Sequence, residues 1–97
     1  MIGVLVTFAK SEKFDRSTLE RIAGELRTPF EGMAGLRLKS FMLGEDGTAR
    51  NFYVWDDEGK GRSFFTEELV AKVSGIYGAA PTVQYFDVVG FVDNPGN

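Results

Sequence analysis

The sequence predicts one α+β domain of the ferredoxin-like class, with its elements in the order β-α-β-β-α-β. Four short strand-like runs and two stretches with helical spacing of apolar residues follow one another in that order along 97 residues. A turn signal, GEDG at 44–47, joins the two middle strands directly as a hairpin. Right-handed crossovers then place both helices on one face of a four-stranded antiparallel sheet with strand order 4-1-3-2.

The four strands differ in the charge on their faces. The first is expected at residues 2–8, an apolar β-branched run with no charged residue, which is typical of a central strand. The second is expected at 35–43, at the edge of the sheet, because Arg37 and Lys39 share one face. We expect these cations to be solvated, although an inward-pointing face would let them stabilise a bound anion. The third strand is ARNFYVWD, and the fourth is expected at 82–92.

The first helix is expected at about residues 16–27, before Pro29. Its N-terminus has two candidate caps, either Ser17 paired with Glu20 in a capping box or Asp15 alone. Its core-facing stripe at helical spacing is Leu19, Ile22, Ala23 and Leu26.

The second helix is expected as a single element that begins somewhere within residues 57–78. The acidic residues 56–58 fit its N-terminal end, where the helix dipole favours negative charge. Gly75 or Gly78 is the expected C-terminal cap. Its core-facing stripe is Phe65, Leu69, Val73 and Ile76, flanked by Phe64 and Tyr77.

Composition excludes several kinds of site. The chain has no Cys and no His, which removes thiolate ligands, imidazole ligands and the commonest general base. We therefore expect no bound metal or haem. A net charge of −3 argues against nucleic acid as a partner, and no apolar run suggests a membrane span. We expect a cytoplasmic protein with a single domain at 1–92 and a short tail at 93–97.

The third strand is apolar on both faces, which a sheet open to water on one side does not explain. Asn51, Tyr53 and Trp55 alternate with Phe52 and Val54. Since the helices cover only one face, the other would expose a contiguous apolar patch, which is rare on soluble monomers. The sequence therefore predicts a homodimer in which two sheets pack through their open faces. We expect the Asn51 face to lie under the helices and the Phe52 face to meet the partner.

Three segments, GLRLKSFML, NFYVWDD and YGAAPTVQYFDV, together resemble the dimeric α+β-barrel proteins of the small monooxygenase type, in particular the YdhR-like monooxygenase group. The resemblance extends over nearly the whole chain, from the first strand to the FDV of the fourth. It implies a homodimer with a pocket between sheet and helices in each subunit. It also implies oxidation of small aromatic, quinol-like substrates without metal or flavin.

The resemblance also implies roles for particular residues. Asn51 and Trp55, four residues apart on one face of the third strand, would be the catalytic pair. The residues expected to bind substrate are Tyr53, Phe64, Phe65 and Leu69. A haem-degrading relative combines a Trp here with a His early on the second helix. This chain has Phe-Phe-Thr in that region, so haem degradation is not expected.

Other interpretations of the same residues stay open. Trp55 could simply fill the core while Asn51 satisfies a backbone group. A dimer that binds small ligands without turnover, or acts in a stress response, fits the sequence as well as an enzyme does. An RNA-binding domain of the same topology is disfavoured, because Asn51 and Tyr53 replace the small residues of its RNA-binding strand. Asp87, among apolar neighbours, could be a base or an interface residue.

Overall fold

The computed structural model describes residues 1–8, 15–78 and 80–94, and its fold is the one predicted. The four strands form one antiparallel sheet with the order β2-β3-β1-β4, which is the predicted order taken from the opposite edge. A short 3-10 turn, Thr28–Phe30, follows the first helix. The elements are β1 Ile2–Thr7, α1 Arg16–Leu26, β2 Leu36–Leu43, β3 Ala49–Trp55, α2 Glu58–Phe64, α3 Glu67–Tyr77 and β4 Thr82–Asp87.

The hydrophobic core lies between the sheet and the helices. In the central strands, Val4 of β1 is opposite Tyr53 of β3 on one side and Tyr85 of β4 on the other, so these side chains share a face. This face packs against Ile22 of α1 and against Phe64 at the end of α2. The buried residues of this core are Ile2, Val4, Val6, Phe8, Ile22, Ala49, Tyr53 and Trp55. The predicted orientation of the odd-numbered face of β3 is therefore confirmed.

The N-terminus of α1 is capped by Asp15. Its carboxylate accepts a hydrogen bond of 2.7 Å from the backbone N–H of Thr18. The bonds from Thr18 lower the pKa of Asp15, since they stabilise the charged form. Of the two predicted caps, the single aspartate is the one that forms.

The prediction of one long second helix is wrong, because the chain breaks it at Phe65. Here the backbone leaves helical geometry (φ −90°, ψ 68°), and the Thr66 hydroxyl accepts a hydrogen bond of 3.1 Å from the N–H of Leu69. The Thr66 side chain thus caps a new helix, α3. The break turns both Phe64 and Phe65 toward the core, with their rings edge to face at 5.1 Å.

The two ends of this helical region follow the predictions. The Asp57 carboxylate caps α2 by accepting a hydrogen bond of 3.0 Å from the N–H of Lys60, and Glu58 lies in the first turn. At the other end, Gly78 adopts a φ of 75° and terminates α3. A left-handed conformation of this kind favours glycine because it lacks a Cβ.

The fourth strand ends at Asp87 and not at residue 92 as predicted. The next residue, Val88, donates its N–H to the carbonyl of Met1 at 3.2 Å and lies beside Gly3 on the open side of the sheet. Further on, Phe91 stacks against the guanidinium of Arg37, at the other edge of the sheet. The segment after β4 therefore crosses the end of the open face. Residues 95–97 of the predicted tail lie outside the described residues.

The close contact between α2 and the sheet depends on Gly61. A Cβ at this position would lie 2.9 Å from Cγ of Trp55 and 3.0 Å from Cγ2 of Ile2. Gly75 in α3 makes a matched control, because a Cβ there meets nothing within 4 Å.

We expect Gly61→Ala to destabilise the fold. Overpacking of this kind costs about 1–3 kcal/mol, which exceeds the gain in helix propensity of about 1 kcal/mol for Gly to Ala. Gly75→Ala brings only the gain in helix propensity and should therefore stabilise the fold. Urea unfolding followed by circular dichroism distinguishes the two. Equal stabilisation by both substitutions would show that α2 does not pack tightly on the sheet.

Candidate ligand pocket

A cavity of about 200 Å³ lies between β3, the 3-10 turn and α3. Asn51 and Tyr53 form its polar floor, and apolar side chains surround them. The cavity is smaller than the roughly 300–1,000 Å³ of sites for drug-sized ligands, so its size suits a ligand of one or two rings. The apolar wall includes Leu26, Phe30, Met33, Phe64, Leu69 and Val73.

The aromatic rings around Tyr53 form one connected cluster. The ring centre of Tyr53 lies 5.0 Å from that of Phe65, 6.1 Å from Phe64 and 6.1 Å from Phe30. The Phe65 and Phe30 contacts are edge to face, the arrangement favoured by the ring quadrupoles. Mutual packing of these rings fixes the shape of the cavity and presents planar apolar surfaces to a ligand.

Asn51 is the buried amide of the site, with 4% of its surface exposed. Its side chain borders both this cavity and a smaller void of about 20 Å³ that Phe65 and Leu69 also line. A carboxamide can both donate and accept hydrogen bonds. Asn51 therefore brings a buried polar group of this kind to the wall of the cavity.

Trp55 shares the face of Asn51 but lies behind the cavity instead of lining it. Its side chain is 2% exposed and packs against Gly61 and against Phe64, at a ring distance of 5.2 Å. Its indole Nε1–H has no hydrogen-bond partner in the part of the chain that the structure describes. Phe64 stands between the indole and the cavity, so Trp55 acts on the pocket through the position of Phe64.

The residues predicted to bind substrate divide between the two cavities. Tyr53, Phe64 and Leu69 line the main cavity with Asn51. Phe65 lines the smaller void beside it.

Lys39 is a member of the site whose burial the sequence did not predict. Its side chain points inward, and Nζ lies 3.5 Å from the ring centre of Phe30, 4.3 Å from Phe41 and 4.7 Å from Tyr53. Burial lowers the pKa of Lys39 to about 7. The three aromatic faces oppose this effect, since each attracts the cation.

A β-bulge explains why the expectation of a solvated Lys39 was wrong. The register between β2 and β3 shifts between Leu36 and Leu38, leaving Arg37 as the extra residue. Lys39 then falls opposite Tyr53 on the helix side. Arg37 stays exposed and forms ion pairs with Asp56 at 3.7 Å and Asp93 at 3.3 Å.

A broad surface groove adjoins the cavity at Lys39. It measures about 540 Å³ and runs between α1 and β2. Lys39 and Phe30 line both the groove and the cavity, so these two side chains lie at the boundary between them. Asp87, in contrast, is exposed at the end of β4, opposite Ile2, and lines neither of them.

Two kinds of feature are absent from the described residues. No group of three or more acidic, His or Cys side chains there could hold a metal ion. None of the helices there has the length and apolar character needed to cross a bilayer.

The sequence matches no protein-family profile, and no curated protein matches it significantly. Solved structures, however, share its fold over nearly the whole chain. A protein of unknown function from Nitrosomonas europaea is 11% identical, with a TM-score of 0.71 over 98% of this chain and 95% of its own.

Two oxygenases share the same fold. The ActVA-Orf6 monooxygenase of Streptomyces coelicolor, solved with nanaomycin D, is 16% identical, with a TM-score of 0.68 over 96% of this chain and 91% of its own. SnoaB, a cofactor-independent oxygenase from Streptomyces nogalater, is 10% identical, with a TM-score of 0.66 over 96% of this chain and 97% of its own. The resemblance to the small monooxygenase type is thereby confirmed at the level of the fold.

Proposed function

We propose that this protein is a cofactor-independent oxygenase that oxidises small hydroxylated aromatic compounds in the cavity under its helices. The observation that carries the proposal is a ring-lined cavity with Asn51 and Tyr53 on its floor, whose remaining lining is apolar except for Lys39 and Lys72. The aromatic walls suit a planar ring, and the two polar side chains suit its oxygen substituents. The fold shared with two oxygenases supports the same reaction class.

The reaction needs no reductant, because the substrate supplies the electrons. An enolisable ring CH₂ loses a proton, and the resulting anion transfers an electron to O₂. Recombination forms a C–O bond, the O–O bond then breaks, and CH₂ plus O₂ becomes C=O plus H₂O. Asn51 would stabilise the anionic oxygen by hydrogen bonding, a contribution that commonly changes rates by about 10²–10³.

We propose that the working form is a homodimer joined through the open faces of two sheets. Leu38, Met42 and Phe86 on this face are 37%, 39% and 46% exposed in the single chain. Phe52 lies among them on the central strand β3, half-buried. Burying such a patch against a second copy removes the apolar area from water.

A non-catalytic ligand-binding protein is the second candidate. Among the described residues that line the cavity there is no carboxylate that could act as a base. The same pocket could then bind an aromatic molecule without converting it. Binding and turnover must therefore be measured separately.

The test uses a panel of naphthols, dihydroxynaphthalenes and anthrone with the purified protein. We expect quenching of the single tryptophan on binding and oxygen uptake with at least one enolisable compound. Asn51→Leu should reduce uptake at least tenfold, whereas Glu25→Gln, an exposed substitution on α1, should leave it unchanged. Binding without uptake would support the second candidate. Absence of both across the panel would rule out a ligand site in this cavity.

A further inference from the structure

Lys39 has no anionic partner among the described residues. In the part of the chain that the structure describes, it forms no ion pair with a carboxylate, whereas Arg37 on the same strand has two. An ammonium group has three N–H donors. The ring faces around Nζ attract its charge, but they are poor acceptors for those donors. An anionic oxygen beside Nζ would gain a charge-assisted hydrogen bond that the unliganded protein lacks.

The surroundings of Lys39 select among anions. Phosphate or carboxylate groups spread their charge over several oxygens, each of which needs donors. The polar residues of the lining are Lys39, Asn51, Tyr53 and the exposed Lys72, and the remaining lining is apolar. An ionised phenol or enol fits better, because it presents one oxygen and delocalises its charge into a ring that the aromatic walls can contact.

We propose that Lys39 makes this cavity selective for acidic phenols and enols, which bind as anions with their oxygen on Nζ. The inference rests on the ligand cavity of the proposed function but not on turnover. In the associated proton transfer, the O–H bond of the ligand breaks and the proton moves to the neutral amine, giving an oxyanion paired with ammonium. Lys39 thus acts as the base, because none of the described residues that line the cavity is a carboxylate.

The burial of Lys39 is consistent with this proton transfer. With a pKa of about 7, an appreciable fraction of the side chain is neutral at physiological pH and can accept a proton. An adjacent oxyanion then stabilises the ammonium form, which raises the pKa of Lys39 and lowers that of the ligand. Binding and ionisation of the ligand therefore reinforce each other.

The test measures the ionisation of a bound probe, 4-nitrophenol, whose anion absorbs visible light. With the protein in excess, we expect the apparent pKa of the probe to fall by at least one unit. Lys39→Met should abolish this fall, and Lys39→Arg should restore it, since a guanidinium also pairs with an oxyanion. Lys72→Met is the matched control, because it removes the other lysine at the cavity, and it should leave the fall intact.

Three other results would overturn the proposal. An equal fall in wild type and Lys39→Met would show that Lys39 does not set the ionisation of the ligand. Tighter binding of 4-nitrobenzoate than of 4-nitrophenol, dependent on Lys39, would identify a general carboxylate site. Absence of binding would overturn this inference together with the ligand cavity. A lowered probe pKa without oxygen uptake by any enolisable compound would keep the inference and reject only the oxygenase.

A stability measurement shows whether the Met variant is folded and whether Lys39 titrates as stated. The unfolded lysine holds its proton up to about pH 10.5, and the folded one only up to about pH 7. Across that range the unfolded state binds more protons, so stability should rise with pH. Lys39→Met should remove this rise and, lacking a desolvated charge, be more stable than wild type at pH 7.

Discussion

Replacing Phe52 with Asp should convert the proposed homodimer to a monomer. Phe52 lies on the central strand β3, opposite Leu5 of β1 and Ser40 of β2, near the middle of the open face. In a twofold dimer the substitution buries two unpaired carboxylates. Burying an uncompensated charge costs about 3–5 kcal/mol, and each 1.4 kcal/mol is about tenfold in affinity. The dissociation constant of the dimer should therefore rise at least a hundredfold.

Sedimentation velocity at micromolar concentration measures this directly. Wild type should sediment near twice the 10.7 kDa of one chain, and Phe52→Asp near the single-chain mass. Phe52→Leu keeps the face apolar and should remain dimeric. Circular dichroism must show a folded Asp variant for the comparison to hold. A monomeric wild type, or a dimeric Phe52→Asp, would place the interface elsewhere or exclude it.

The alternation along β3 could be predicted because a strand turns successive side chains to opposite faces. Together with the order of elements, this alternation correctly predicts that Asn51 and Tyr53 lie under the helices. The strand order followed in the same way from the order of elements and the handedness of crossovers. These features depend on local periodicity, which a single sequence carries in full.

Features that depend on a single backbone irregularity could not be predicted. The bulge at Arg37 decides that Lys39 points inward, yet no residue in GLRLKSFML marks a bulge. The break before α3 did leave a signal, since Thr66 followed by two acidic residues is a typical helix start. The apolar stripe that continues through Phe65 favoured a single helix over a new helix start at Thr66. The early end of β4 depends on where its partner β1 begins, since Asp87 is opposite Ile2 and the two residues are far apart in sequence.

The depth of Trp55 is a similar case. Its spacing from Asn51 placed both on one face, but the close approach of α2 at Gly61 decides that Phe64, and not the indole, meets the cavity. Sequence alone gives the direction of a side chain more readily than the position of the helix above it. The catalytic role that the resemblance implies for Trp55 therefore remains a prediction.

Trp55→Ala should be among the most destabilising single substitutions in the chain. Trp55 is one of the largest fully buried side chains, and truncating a buried tryptophan to alanine costs about 3–5 kcal/mol. In a domain of this size that corresponds to a fall in Tm of at least 12 °C, at about 4–8 °C per kcal/mol. Phe64 would also lose its support, so the cavity should enlarge and ligand binding should weaken.

Trp55→Phe should lower the free energy of unfolding much less than Trp55→Ala does. Comparing the two variants separates the contribution of ring packing from that of the indole N–H. A buried donor without a partner is unfavourable by about 1–3 kcal/mol, and Nε1 has none among the described residues. Phenylalanine keeps a ring against Gly61 and removes that donor, so we expect unfolding free energies within about 2 kcal/mol of wild type. The dimer should persist, since Trp55 lies on the helix side. Urea unfolding of both variants by circular dichroism gives the comparison. Equal losses for Ala and Phe would mean that the N–H forms an interaction on which the folded state depends.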